Sequence, residues 1–308
     1  MNTESTRASP RICAIVLNWN GGERIHRCVQ SLLASTGAQV NVVVVDNGST
    51  DGSNELLAVT FASISLIRLG KNIGLAKARN EGLRWSMEQG FDAMLFIDDD
   101  ARVAPDTLSQ LWQTLQSSPQ AGIVTPRILD GNNEKIIWYD GGVTNTFGDP
   151  VHRNMGAEAG TVTRESLEIE FGTGCCQLIK REVVEQIGLL DETFFVYSED
   201  ADYSFRAREA AFRIVHVPGA IAWHEQSGDT KKNKGKWYRD YYVTRNKLML
   251  FSKHYKGMKF IVALVGFGIV DFGFRIGYFM VMGEFRRCRA IFDGVTDFLC
   301  GRFGERYA

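Results

Sequence analysis

Met94-Leu95-Phe96-Ile97, followed at once by Asp98-Asp99-Asp100, sets the reading of this 308-residue chain. An apolar run without alternation marks a parallel strand buried on both faces. Three acids at its carboxyl end repel one another and need a cation or an array of hydrogen-bond donors. Open α/β sheets place their ligand sites outside the carboxyl ends of their strands. Oxygen-only ligands suit Mg²⁺ or Mn²⁺, and Mg²⁺ usually shares one or two carboxylates with substrate phosphates. The competing reading is a solvated turn before a helix, for which Pro105-Asp106 supplies a start signal.

Upstream, short apolar runs alternate with helical patterns. The pattern predicts strands at Ile12–Leu17, Val40–Val45, Ser65–Leu69 and Ala93–Ile97, and helices at Glu23–Ala34, Ser53–Thr60 and Leu75–Gln89. That order implies βαβ units and a doubly wound, mostly parallel sheet flanked by helices. Downstream the chain is richer in strands and loops, with runs at Ile123–Pro126, Ile136–Tyr139 and Ile169–Leu178. A helix should run from Ser198 to Ala211, with Ser198 as its N-cap.

Composition narrows the class. The 44% apolar content is that of a globular protein, and the six cysteines show no zinc-like or disulfide-framework spacing, so a reducing compartment is expected. Residues 1–10 are polar, expected to fray, and carry no secretory pattern. Net charge is −1, but residues 231–308 hold 16 Lys and Arg against 6 Asp and Glu, a local +10 that leaves −11 for the rest. A basic tail on an acidic body suggests an anionic partner, such as phospholipid headgroups or a pyrophosphate. Within the tail, 228–237 reads as a polar, basic, mobile loop, with Trp237, Tyr238, Tyr241 and Tyr242 beside it. The apolar run 260–283 is long enough to cross a bilayer, but Asp271 and Arg275 interrupt it at i, i+4, where they can pair. Five glycines and that pair favour an interfacial or tightly packed helical hairpin over a simple span.

Six further segments fall in a consistent order. They are Ile15-Val16-Leu17-Asn18-Trp19-Asn20-Gly21, Val45-Asp46-Asn47-Gly48-Ser49-Thr50-Asp51-Gly52-Ser53, Lys71-Asn72-Ile73-Gly74-Leu75-Ala76-Lys77-Ala78-Arg79-Asn80, Phe171-Gly172-Thr173-Gly174-Cys175, Phe194-Phe195-Val196-Tyr197-Ser198-Glu199-Asp200-Ala201-Asp202, and Trp223-His224-Glu225. With Tyr242-Val243-Thr244-Arg245-Asn246, the chain resembles family 2 glycosyltransferases of the GT-A fold, especially the rhamnosyltransferase-like bacterial branch. The resemblance implies an inverting, metal-dependent transfer of a sugar from a nucleotide diphosphate, dTDP-rhamnose or a UDP-sugar, to a glycan or lipid-linked hydroxyl.

What the resemblance implies for single residues follows its motifs. Asp98 and Asp100 match the D-x-D element that engages metal and donor diphosphate, with Mg²⁺ or Mn²⁺ as the cofactor. Asn18, Asp46, Arg79 and Asp99 fall at donor-binding positions, and His224 at a metal-binding one. Asp200, second of the Glu-Asp pair, is the expected base. First-turn carboxylates are held ionised by the helix dipole, which suits that role. Asp202 better suits capping or pairing with Arg206 or Arg208. The expected layout is a catalytic domain over 11–227, with a nucleotide-binding half (11–125) and an acceptor half (126–227), then a basic, membrane-associating helical extension over 228–308. Such an enzyme would sit in the cytoplasm, peripheral on the inner face of the plasma membrane. Nucleic acid is not an expected partner, and a homodimer through the extension is the other use of the tail. The alternatives are a sugar nucleotidyltransferase, which Asn18-Trp19-Asn20-Gly21-Gly22 matches poorly for want of a basic Gly-rich loop, and a non-catalytic nucleotide- or membrane-binding module.

Overall fold

A computed structural model describes residues 11–163, 165–225 and 235–306. The apolar runs of the first half become strands β1 (Arg11–Asn18), β2 (Gln39–Asp46), β3 (Ser65–Arg68) and β4 (Ala93–Asp98). These four pair in parallel, in the order β4-β1-β2-β3. Helices α1 (Gly22–Leu33), α2 (Ser53–Thr60) and α3 (Leu75–Glu88) make the crossovers. In α1, Ile25, Cys28, Val29 and Leu32 recur at helical spacing and are the buried face.

Past β4 the sheet turns mixed. β5 (Ala101–Val103), α4 (Thr107–Ser117), β6 (Ala121–Asp130) and β7 (Asn133–Tyr139) precede a small hairpin, β8 (Gly142–Thr144) with β9 (Pro150–His152). Then come β10 (Leu167–Ile169), β11 (Cys176–Lys180), α5 (Arg181–Ile187), α6 (Glu199–Glu209) and β12 (Arg213–His224). Among the described residues the main sheet has ten strands, in the path β10-β12-β6-β11-β4-β1-β2-β3 with β5 on β12 and β7 on β6. β11 runs antiparallel to both β4 and β6, while β12 is parallel to β6. The architecture is a doubly wound α/β sheet, parallel in its first half, mixed in its second and flanked by helices.

One expected strand divides. Ile169–Leu178 is not continuous, because residues 170–175 leave the sheet between β10 and β11. The glycines explain the path: a Cβ on Gly174 would lie 2.2 Å from the Arg79 guanidinium, so only glycine lets the backbone pass that close.

The C-terminal region is helical: α7 (Gly235–His254), α8 (Gly257–Phe267), a π-helical stretch Gly268–Ile276, α9 (Gly277–Val281) and α10 (Phe285–Leu299). Of the loop expected over 228–237, residues 228–234 lie outside the described residues, as do residues 1–10, and Gly235 already opens α7. Tyr238, Tyr241 and Tyr242 are buried, not displayed beside a loop. They join the packing of α7 on α10, where the Tyr241 hydroxyl donates to Asp297 at 2.6 Å. Asp271 and Arg275 do pair, and both also reach α7: Lys247 Nζ lies 2.9 Å from Asp271, and Arg275 Nη2 lies 2.6 Å from Asp240. The charged side of the 257–281 helix therefore faces the protein. Among the described residues it is the one helix long and apolar enough to cross a membrane, yet only 28% of its apolar window is buried.

Candidate active site

Strand register assembles the acidic crevice. Asn18 pairs with Asp46 across β1 and β2, and Leu17 pairs with Asp98 across β1 and β4, so three strand ends deliver polar side chains side by side. β11 begins beside the end of β4, and the Asp98 amide donates to the Cys175 carbonyl at 3.1 Å. β12 ends against β5, with His224 opposite Ala101 and the Glu225 amide donating to the Asp100 carbonyl at 2.9 Å. His224 thus arrives from more than a hundred residues away through one short antiparallel pairing.

Asp98, Cys175 and His224 bring their ligand atoms within 4.8 Å of one another. Asp100 joins through His224, whose Nε2 lies 3.1 Å from its Oδ1. The other ring nitrogen, Nδ1, is buried with no hydrogen-bond partner among the described residues. Burial pushes the Asp98 carboxyl up and Arg79 pulls it back, while Asp100 and Asp200 add to the rise. Asp99 is held well above the usual carboxylate range by burial and then by Asp100. Burial lowers His224, but Cys175 and Asp100 outweigh it and raise the imidazole to about 12. Burial also pushes the Cys175 thiol up to about 12. Crowded carboxylates, an imidazole with an orphaned nitrogen and a buried thiol fit a divalent cation, whose charge reverses these tendencies.

The predicted donor residues take distinct places. Asn18 is fully buried, its amide donating to Asp46 Oδ1 (3.2 Å), Ser53 Oγ (3.0 Å) and Asn54 Oδ1 (3.2 Å). Asp46 accepts from the Ser49 amide at 3.3 Å, closing the Asn-Gly-Ser turn. Asp99 turns away from Asp98 towards the loop after β1, where it accepts from the Trp19 amide. Arg79 lies behind the carboxylates and is 1% exposed. Its Nη2 donates to Asp98 (2.6 Å) and the Gly174 carbonyl (2.7 Å), and its Nη1 lies 3.4 Å from Glu199.

Asp200 opens α6 half-buried, one contact from the same backbone. The Gly174 amide donates to its Oδ2 at 2.9 Å and the Ala201 amide to its Oδ1 at 2.8 Å. Gly174 therefore links Asp98 and Asp200, its carbonyl on Arg79, which holds Asp98, and its N–H on Asp200. Asp202 takes the structural role, paired with Arg206 (3.0 Å), Lys253 (2.6 Å) and His254 (2.9 Å). Ser198 holds the N-cap position but makes no capping bond, because its backbone is left-handed at φ 69°.

That turn is strained, and its support comes from the Arg245-Asn246 pair on α7. Phe195, Tyr197 and Ser198 all have positive φ, at 62°, 68° and 69°. Such residues persist only where the surroundings over-determine them. The Asn246 amide on α7 donates to the carbonyls of Phe194 (2.9 Å), Val196 (2.8 Å) and Tyr197 (2.8 Å). Arg245 adds bonds to Thr193 (3.3 Å) and Phe194 (3.2 Å). The task of Arg245-Asn246 and the nearness of Cys175 to the metal-side cluster emerge only in three dimensions.

Comparison with known proteins decides the family. The sequence model of Glycosyl transferase family 2 matches residues 13–188, more than half of the chain. The chain belongs to glycosyltransferase family 2. This transferase is 27% identical over 239 residues to an N-acetylglucosaminyl-diphospho-decaprenol L-rhamnosyltransferase of Mycobacterium tuberculosis, covering 71% of this chain and 77% of that protein. It is 26% identical over 235 residues to the dTDP-rhamnosyl transferase RfbF of Shigella flexneri, covering 74% and 76%. Its fold matches the mannosyltransferase PcManGT of Pyrobaculum calidifontis, solved with GDP-Man and Mn²⁺, at TM-score 0.60 and 16% identity over 95% of this chain and 88% of that one. The family 2 transferase is thus an enzyme of the GT-A type.

Proposed function

We propose that the chain transfers a sugar, with inversion, from a nucleotide diphosphate to a hydroxyl of a glycan or lipid-linked acceptor in cell-surface polysaccharide assembly. The observation that carries this reading is the Gly174 bridge, which sets Asp200 beside the Asp98–Cys175–His224 cluster. Asp98, Asp100 and His224 would hold Mg²⁺ or Mn²⁺, with the Cys175 thiol beside them. The cation would supply charge for the departing diphosphate. Asp46 would take the nucleoside, with Asn18 fixing its carboxylate from beneath and Asp99 bracing the loop above. Asp200 would accept the acceptor proton, while positioning and offset of the leaving charge lower most of the barrier. Arg79 orients Asp98 and the Gly174 carbonyl. The relatives' names make rhamnose on a deoxythymidine carrier the first donor to try.

Residues 11–125 would serve the nucleotide and 126–227 the acceptor, with the extension set against the cytoplasmic face of a membrane. The +10 charge of 231–308 and the outward apolar side of 257–281 support that placement. The inward Asp271–Arg275 face favours lying on the surface over spanning. The deciding experiment incubates the protein with a panel of nucleotide sugars and Mg²⁺ or Mn²⁺, and follows nucleoside diphosphate release. Release from one donor, lost on chelation, is the expected result. Pyrophosphate release from a nucleoside triphosphate would instead make it a nucleotidyltransferase.

A further inference from the structure

We propose that the cleft between α7 and α10 is a binding site for the anionic headgroup of a membrane phospholipid, with Arg286 and Arg289 on its phosphate and Phe285 beside its chains. The proposal rests on the reading of the extension as membrane-associated and assigns that surface a specific ligand. The cleft has a volume of about 610 Å³, lined by Trp237, Phe285, Arg286, Arg289, Asp293 and Arg306. That falls within the roughly 300–1,000 Å³ typical of small-ligand sites. Three guanidiniums face one carboxylate, so the lining favours an anion.

The arginines differ in how they are held. Arg306 is committed to Asp297, and the Asp293 carboxylate lies 3.8 Å from both Arg289 and Arg306. The Arg286 guanidinium sits over the Trp237 ring, 4.2 Å from its centre. Stacking fixes the plane of the fork while leaving its N–H edge for an oxyanion, the geometry in which arginine binds phosphate well. The Arg289 side chain is 83% exposed. Arg287, between them, points elsewhere and pairs with Asp240 at 2.5 Å.

Placement decides between a lipid and a soluble anion. Immediately before the cleft the chain turns at Gly283, and Tyr278, Met280, Val281, Met282 and Phe285 are all exposed there. Such a tip marks a membrane contact. An interfacial element enters about 5–10 Å into the headgroup and acyl boundary. Arg286 and Arg289 follow Phe285 on α10 by one and four residues, about 1.5 and 6 Å of helix. When the tip is immersed, both guanidiniums stand at the depth of the phosphates.

The test uses the full chain, an Arg286→Gln/Arg289→Gln variant and a Val281→Asp variant, each sedimented at low salt with phosphatidylglycerol or phosphatidylcholine vesicles. The protein should prefer phosphatidylglycerol, the arginine variant should lose that preference by roughly tenfold or more, and Val281→Asp should weaken binding to both. Donor hydrolysis should be unchanged in the arginine variant, showing that the fold is kept. Trp237 fluorescence should respond to brominated phosphatidylglycerol, with Trp237→Phe as the reference. An arginine variant that keeps the full phosphatidylglycerol preference overturns the site while leaving membrane association standing. Indifference of the unmodified protein to both vesicles overturns both. The same Trp237 response to inorganic phosphate alone would reject a lipid as the occupant.

Discussion

At the scale of single residues, the two carboxylates of the Glu-Asp pair have opposite environments. Asp200 accepts two backbone N–H bonds, one on each oxygen, at the mouth of α6, and Asp200→Asn keeps the size and one of those bonds but cannot take a proton. Transfer should fall by about 10²–10⁴-fold with donor affinity retained, measured by kinetics beside calorimetric titration. Glu199 is buried, and burial first, then Asp200, raise it to about 8 against the pull of Arg79. A carboxyl raised in the fold binds its proton more tightly folded than unfolded, so its contribution is present at low pH and fades as pH climbs. Denaturation of Glu199→Gln should therefore show a shallower loss of stability than the parent between its ordinary value of 4.5 and about pH 8. Cys175 adds sulfur to an oxygen-rich donor set, and soft metals seek sulfur. Cys175→Ser should weaken Cd²⁺ binding, read as lost thiolate-to-cadmium absorption, while Mn²⁺ still supports transfer. The acids were legible because like charges at a strand end demand an explanation. Cys175 was not, because a buried cysteine is most often a small apolar filler.

At the scale of elements, the strands and crossover helices of the first half could be read almost to their ends, since burial of 12–17, 42–45 and 93–97 leaves uninterrupted apolar runs. The break within Ile169–Leu178 could not, because it depends on where Arg79, nearly a hundred residues away, places its guanidinium. The support of the strained turn before α6 is likewise a tertiary matter. Asn246→Ala would take the side-chain amide from the Val196 and Tyr197 carbonyls and leave that of Phe194 to Arg245 and the Val196 amide. The expected cost is about 1–3 kcal/mol of stability, with kcat falling and donor KM little changed, because the turn carries Asp200 and not the donor side. Asn246→Asp, which keeps the size but loses the donors, should behave like the alanine variant in both unfolding and steady-state assays.

At the scale of the whole molecule, the extension is part of the enzyme's frame. α10 packs on α7 through Tyr241 and Asp297, and the Gly304 carbonyl accepts from Arg245 at 2.7 Å. A chain ended after Lys256 would lose these braces, so it should lose thermal stability and donor turnover together. Calorimetry and donor hydrolysis on the same preparation check this; full turnover with an unchanged melting point would show the extension to be dispensable. The uneven charge was visible in composition, whereas the inward turn of the charged helix face required α7 to be in place.

The ladder of Lys247, Asp271, Arg275, Asp240 and Arg287 makes the apolar helix a matched part, not an interchangeable anchor. A plain leucine helix grafted over 257–281 would have the oiliness to sit in lipid, but it would take Asp271 from Lys247, which keeps Asp149, and Arg275 from Asp240, which keeps Arg287. Two largely buried charges would each be left with half of their compensation, so swapping this segment between relatives should succeed best when the facing residues of α7 travel with it.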